Sequence, residues 1–239
     1  MANLQKGVLD KVEHFLERQK YSYEILVVDD GSTDGSQEFV QEFVQENKNF
    51  KLIKNPHTGK AGAVTTGMLQ AEGEYKLFTD MDQATPIEEL NKLLPFLGND
   101  YDIVIGSRST QRKGAPWTRA LMGKGMIVLR RLIVGNIEGV TDTQCGFKIF
   151  NKKSSLDLFE KLQKFHHGFK KISGSAVKAG FDVELLFLAQ KEKYRIKEVP
   201  VNWLYVESRR VSPLRDSLSA FTDLINIRVN SIKGKYNNL

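Results

Sequence analysis

Apolar residues recur at helical spacing and then in short β-branched runs, and the two patterns keep alternating along the chain. Leu4, Val8, Val12, Phe15 and Leu16 mark a helix, and the run "YEILVVDD" after them reads as a buried strand ending in acid. By the same reading "STDGSQEFVQEFVQEN" is a helix, "FKLIKN" a strand, "KAGAVTTGMLQAEG" a helix stopped by Gly73, and "YKLFTDMD" a strand. "TPIEELNKLLPFL" predicts a helix with Thr85 as cap and Pro86 at its first position, and "YDIVIGSR" a further strand. Later the order is less regular: "GAPWTRALMGKGMIVLRRLIVG", "VELLFLAQKEK" and "SPLRDSLSAFTDLINIRVNSI" read as helices, "GFKIFN" and "YRIKEVPVNWLYV" as strands. Alternation of this kind predicts a parallel sheet wrapped by helices. With no internal repeat, low-complexity tract or linker, the chain reads as one α/β domain over 1–212 and an amphipathic C-terminal helix and tail over 213–239.

Composition narrows the class. The 239 residues, 41% hydrophobic and 27% charged, suffice to bury a sizeable core. The single cysteine, Cys145, excludes an internal disulfide and fits a reducing, cytoplasmic setting; with the four histidines it makes no zinc-ligand spacing. No run reaches the roughly 18 uncharged apolar residues of a membrane span, so any membrane contact is expected to be peripheral.

The net charge of +6 is unevenly spread. Between Asp102 and Glu138 there is no acid, while Arg108, Arg112, Lys113, Arg119, Lys124, Arg130 and Arg131 all occur, which makes either an anion-binding region or a solvated basic face. In open α/β sheets ligands sit outside the carboxyl ends of the strands, and those ends carry Asp29 and Asp30, Asp80 and Asp82, and then Arg108. Asp80 and Asp82, one residue apart, suit a hard divalent cation such as Mg²⁺ or Mn²⁺ that also takes substrate phosphate oxygens. A helix cap or solvated turn would use the same residues.

"EILVVDDGSTDGS", "GKAGAVTTGMLQAEGEYKLFTDMD" and "DIVIGSR" together resemble the signature of the inverting family 2 glycosyltransferases. "GAPWTRALMGKGMIVLRRLIVGNIEGVTDTQCGFKIF", "FDVELLFLAQ" and "EVPVNW" resemble, more narrowly, the dolichyl-phosphate β-glucosyltransferases and bacterial polyprenyl-phosphate relatives, from about Tyr23 to Ser219. The resemblance implies a GT-A fold, with a mixed, mostly parallel, Rossmann-like sheet. Family members begin with a strand ahead of the first helix, whereas this chain opens in the helix; the expected result is unpaired backbone beside Leu26 to Val28.

By similarity, Asp29 and Asp30 would hold the base and ribose of a nucleotide, Asp30 being the stronger of the two, although Asp29 could simply end its strand. Lys60 and Gly62, at a helix-opening turn, would approach the nucleotide or its phosphates. Asp80 and Asp82 would carry the metal bridging the diphosphate of a UDP-sugar. Arg108 and Arg119, with Lys124 third, match positions suited to an acceptor phosphate. Asp142 and Gln144 would line the sugar pocket, with Cys145 packed beside them. Asp182 reads either as base or sugar ligand or as a helix N-cap. Arg209 and Arg210 would close over the diphosphate or form an ordinary basic turn.

The implied reaction is attack by a lipid monophosphate oxygen on the anomeric carbon in line with the departing UDP. Orientation and charge would carry it, because a phosphate is already an anion at neutral pH. A lipid acceptor implies the cytoplasmic face of a membrane. Two helices suit an interface: 116–135, with stripes Trp117, Leu121, Val128, Leu132 and Met122, Met126, Leu129, Ile133, and the C-terminal helix, with Leu214, Leu218, Phe221, Ile225 and Ile232 beside Arg215, Arg228 and Lys233. Core packing or a homodimer contact explains either helix equally well. The alternatives are a GDP-mannose-dependent mannosyltransferase and an inactive module binding UDP-sugars or membranes. A nucleotidyltransferase would need a glycine-rich N-terminal phosphate loop, which is not visible, and the aliphatic interleaving of the basic block argues against nucleic acid.

Overall fold

The computed structural model describes residues 1–98, 100–108, 112–113, 117–171, 180–204, 213–237 and 239; over 112–113, 117–122, 124 and 213–217 it describes the backbone alone. In chain order the elements are α1 (Val8–Glu17), β1 (Ile25–Asp29), α2 (Ser36–Glu46), β2 (Phe50–Lys54), α3 (Gly59–Gln70), β3 (Tyr75–Thr79), α4 (Leu90–Leu93), β4 (Ile103–Ser107), β5 (Arg112–Lys113), α5 (Trp117–Ile133), β6 (Phe147–Asn151), α6 (Lys152–Phe165), α7 (Gly180–Lys191), β7 (Ile196–Pro200), β8 (Trp203–Leu204) and α8 (Pro213–Ile232).

The strands do not form one parallel sheet. β1 and β2 pair in parallel as a sheet of two, and a four-stranded sheet runs β3-β6-β4-β7, with β6 antiparallel to both neighbours and β4 parallel to β7. The path of the chain explains the reversal. β4 ends at the edge that carries Arg108, and α5 with the loop after it delivers β6 from that same edge. A parallel partner would need a crossover back to the opposite edge first. Helix α3 packs against both β1 and β3, and so joins the two sheets through side chains.

Alternation along β4 divides the core. Ile103 and Ile105 face one apolar layer with Phe78 and Phe150 of the sheet and with Leu158, Phe159, Leu162, Leu185 and Leu188 from α6 and α7; Val104 faces the other with Ile87, Leu90, Leu93, Phe147 and Ile149. Lys148 lies between Phe147 and Ile149, so the period of two turns it toward α7.

Two local expectations are corrected. Pro86 is extended, at φ −60° and ψ 146°, and Thr85 caps nothing there; the run from Ile87 to Phe96 is a 3₁₀ turn, one α turn and a second 3₁₀ turn. Pro95 lacks the N–H a continuous helix needs. Helix α3 ends at Gln70, ahead of Gly73, where the Glu24 carboxylate accepts the amides of Glu72 (2.6 Å) and Gly73 (3.3 Å). Helix α6 follows β6 with no turn between them, since Asn151 both closes the strand and accepts the Ser154 amide as cap.

At the C-terminus, Leu224 and Ile227 of α8 are buried with Val134 and Val183, so one side of this helix packs against α5 and α7. The tail folds back until Tyr236 is buried, its hydroxyl donating to Glu184 at 2.6 Å.

Candidate functional site

The carboxyl ends of β3 and β4 lie beside the N-termini of α3 and α7, and charged side chains converge there. After Thr79 the chain turns sharply: Gln83 takes the left-handed conformation at φ 47°, and its amide donates to the Asp80 carbonyl. The turn presents Asp80 half-exposed and ties Asp82 Oδ1 to the Ala84 amide at 3.0 Å. Gly146 packs against this turn, and an added Cβ there would sit 2.0 Å from Asp80 Oδ2.

Lys60, in the first turn of α3, reaches across to the same place. Its Nζ lies 2.9 Å from Asp80 Oδ1 and 3.9 Å from Asp182 Oδ2. Burial disfavours the Lys60 ammonium, but Asp182 and Asp80 outweigh burial and hold its pKa above the ordinary lysine value. Asp182 in turn accepts from Lys148 Nζ at 2.5 Å, and that fully buried ammonium also donates to the Cys145 carbonyl at 2.6 Å. Asp182 therefore lies inside α7 as the hub of two lysine contacts, which corrects its reading as a helix cap; the Gly180 amide at the start of α7 donates instead to Asp223 of α8.

Among the described residues no three His, Cys, Asp or Glu side chains gather closely enough to hold a metal ion unaided. Asp80 and Asp82 nonetheless fit a hard divalent cation. They are oxygen donors at one exposed turn, a cation already pairs with Asp80, and such ions take their remaining ligands from substrate phosphates and water.

Asp29 and Asp30 serve the loops around them. Asp29 Oδ2 accepts the Gly31 and Ser32 amides, both at 3.0 Å, and Gln37 Nε2 at 2.6 Å; burial opposes these bonds, yet they hold its pKa below the ordinary carboxylate value. Asp30 sits at the N-terminus of α3. There it accepts the amides of Thr58 (2.9 Å) and Gly59 (2.7 Å), and it also contacts Asn55 Nδ2 (2.7 Å) and His57 Nδ1 (3.0 Å). The helix terminus expected to attract a ligand anion thus already holds an aspartate of the chain itself. Gly62 is part of the same packing, since a Cβ there would lie 2.0 Å from Thr58 Oγ1.

Arg108 leaves the end of β4 in a fixed pose. Asp142 Oδ2 accepts its backbone amide (2.9 Å) and Nε (2.8 Å), and Asp142 Oδ1 accepts Nη2 (2.8 Å). Burial opposes both charges. The pairing overcomes it, raising the arginine pKa and lowering that of Asp142 to about 2. The guanidinium also lies 6.0 Å from the centroid of the Trp203 ring. Asp142, expected to line a sugar pocket, spends both oxygens on this arginine. Gln144 is half-buried beside it, its amide donating to Asp142 Oδ1 at 3.2 Å. Cys145 is buried against Thr85, and burial pushes its thiol pKa up.

Arg119 and Lys124 lie on α5, but their side chains are outside the described residues, as are Arg209 and Arg210 altogether. Arg130 is buried rather than displayed, donating to the Val140 carbonyl at 3.1 Å. The two apolar stripes of α5 part company: Met126, Leu129 and Ile133 pack inward with Leu224 and Ile227, while Val128 and Leu132 are exposed. On α8, Leu218, Phe221, Ile225, Val229 and Ile232 are exposed in one row. Among the described residues no helix is long and apolar enough to cross a membrane.

Sequence reasoning passed over two charged groups of this region, Lys148 and Glu198. Lys148 is the one charge in the apolar strand run "GFKIF", a signal that a buried partner waits for it, whereas Glu198 follows Lys197 in "IKEVP" and carries no such signal.

A family model for glycosyl transferase family 2 matches residues 3–159. The dolichyl-phosphate β-glucosyltransferase of Dictyostelium discoideum is 33% identical over 95% of this chain and 71% of its own length, and the human enzyme of that name is 31% identical over 96% and 72%. Among solved structures, glucosyl-3-phosphoglycerate synthase from Mycobacterium tuberculosis, in complex with Mn²⁺, UDP and phosphoglyceric acid, superposes with a TM-score of 0.57 at 14% identity, covering 92% of this chain and 72% of that one. The mannosyltransferase PcManGT from Pyrobaculum calidifontis, with GDP-Man and Mn²⁺, gives 0.53 at 18% identity, covering 97% and 72%.

Proposed function

Because the chain belongs to glycosyl transferase family 2 and is a hexosyltransferase of GT-A fold, we propose that it transfers glucose, with inversion, from UDP-glucose to the phosphate of a dolichyl or other polyprenyl phosphate. One juxtaposition supports this most directly: the acid pair Asp80 and Asp82 ends one strand, and Arg108, immobilised by Asp142, ends a strand of the same sheet. The first suits a cation on a departing diphosphate, the second an incoming phosphate. The names of the 31–33% identical relatives supply the sugar and the lipid.

Asp80 and Asp82 would hold Mg²⁺ or Mn²⁺, which when bound neutralises charge developing on the leaving UDP. The remaining work falls to the chain. Lys60, kept protonated by Asp182 and Asp80, adds positive charge at the diphosphate, and Lys148 pairs with Asp182 from beneath. Arg108 orients the acceptor phosphate, whose oxygen forms a bond to the anomeric carbon while the bond from that carbon to the β-phosphate oxygen of UDP breaks and its electron pair leaves with UDP. No proton transfer is required of the attacking phosphate, and none is assigned. Beside Arg108 a cleft passes from Asp142 and Gln144 to Met126, Val183 and Leu224, a polar end for the phosphate and an apolar one for the first part of the chain. The exposed apolar rows on α5 and α8 suit peripheral contact with a lipid surface, where the enzyme would act from the cytoplasmic face.

The test incubates the protein with labelled UDP-glucose or GDP-mannose, a short polyprenyl phosphate and Mn²⁺, in parallel with Asp82→Asn. Glucose is expected on the lipid, with the variant slower by about 100-fold or more. The reading fails if neither sugar reaches lipid, or if Asp82→Asn matches the wild type; mannose on the lipid instead of glucose selects the GDP-mannose alternative.

A further inference from the structure

We propose that Glu198, which touches neither Asp80 nor Arg108, is the positioning residue for Arg108, acting through the backbone of the 140–142 loop. The inference rests on the reading that Arg108 receives an acceptor phosphate. Glu198 is on β7, opposite Ile105 of β4, three residues before Arg108. Its Oε2 accepts the amides of Thr141 at 2.5 Å and Asp142 at 3.0 Å. From the other side Arg130 of α5 donates to the Val140 carbonyl at 3.1 Å. The loop is thus gripped by an acid on its N–H groups and a base on a C=O group, and of the two Arg130 also lines the cleft beside Arg108.

What the grip fixes is Asp142. Both oxygens of that carboxylate are committed to Arg108, through Nε and Nη2 at 2.8 Å each, and the bidentate arrangement sets the plane of the guanidinium as well as its position. The path closes on itself: β7 holds the loop, the loop holds Asp142, Asp142 holds Arg108, and Arg108 springs from β4, the hydrogen-bonded neighbour of β7. Trp203, five residues beyond Glu198, lies under the same guanidinium. The sequence stretches DTQCGFK and EVPVNW therefore form one device, the second anchoring what the first presents. Without Glu198 two amides lose their acceptor, the loop shifts to recover partners, and the guanidinium plane turns away from an incoming phosphate.

The measurement is steady-state kinetics of Glu198→Ala, Glu198→Gln and Arg108→Ala, with Glu198→Asp replacing the alanine variant if that one does not fold. Glu198→Ala should raise the KM for polyprenyl phosphate ~10-fold, leave the KM for the nucleotide sugar within about twofold, and add nothing in an Arg108→Ala background. Glu198→Gln, which still offers an acceptor oxygen, should recover most of the loss. A second readout needs no turnover: in ¹⁵N-arginine-labelled protein the Arg108 Nε–H resonance should exchange slowly in wild type and Glu198→Gln, and broaden or shift in Glu198→Ala or Glu198→Asp. An unmoved resonance, or additive losses in the double variant, overturns the proposal. Absence of lipid glucosylation by the wild type overturns the functional reading instead, and the resonance still decides whether Glu198 positions Arg108.

Discussion

At Gly146 the site depends on a missing methyl group. A Cβ there would meet Asp80 Oδ2 at 2.0 Å, and the atom it meets is the free end of a flexible side chain. Gly146→Ala should therefore push the carboxylate aside and spare the fold: sugar transfer falls at least ~10-fold while the unfolding free energy moves by less than about 1 kcal/mol, checked by the lipid assay and urea melts on the same preparation. Asp142 makes a prediction about acid. Burial pushes its carboxyl up and Arg108 overrides burial, bringing its pKa to about 2 from the ordinary 3.8. Because the folded value lies below the unfolded one, this stabilisation is complete above about pH 4 and is lost as pH falls from there toward 2. It amounts to on the order of 2 kcal/mol. The gap in unfolding free energy between wild type and Asp142→Asn should shrink between pH 5 and pH 2.5; a constant gap would mean the pair does not control this titration.

For the elements, periodicity was informative wherever the chain is punctuated. Gly, Asp and Asn clusters separate α1 through β4, and each of those strands falls where its apolar run predicts. Helix α6 escaped notice because Asn151 does two jobs in one position, ending β6 and capping the next element, so no turn residues announce the change. The antiparallel course of β6 could not be read either, since strand direction depends on which edge the chain returns from. Of the site, the acid pair and Arg108 were evident as charges at strand ends, whereas the Lys60–Asp80 and Glu198–loop contacts join residues far apart in sequence and exist only once the strands are ordered. Helix α8 offers a test of its own. Leu218, Phe221, Ile225, Val229 and Ile232 follow steps of three and four along one exposed side, opposite the buried Leu224 and Ile227. Ile225→Glu with Ile232→Glu should abolish sedimentation with anionic vesicles and leave transfer to a short, water-soluble acceptor within about twofold. Retained sedimentation would exclude this row as the lipid contact.

Over the whole molecule, the separation of the β1-β2 pair from the four-stranded sheet, with β5-β8 a further short pair, sets a gradient of stability. β4 lies between β6 and β7 with its side chains buried throughout, while β1 and β2 have only each other as hydrogen-bonded neighbours among the described strands. Two-stranded pairings open more readily than interior ladders, so the amides of β1 and β2 should exchange with deuterium ~10-fold or more faster than those of β4 and β6. Equal protection in the two sheets would show that they open as one unit. Helix α3 spans the seam between them, and its first turn carries Lys60 on one side and receives Asp30 on the other. Side-chain bonds cross that seam, Glu24 accepting the Glu72 and Gly73 amides and Lys76 Nζ donating to the Met68 carbonyl, and α3 bears the ammonium facing Asp80. A displacement of β1 and β2 that carried α3 along would change the separation of that ammonium from the Asp80 carboxylate, and with it the charge the turn after β3 presents.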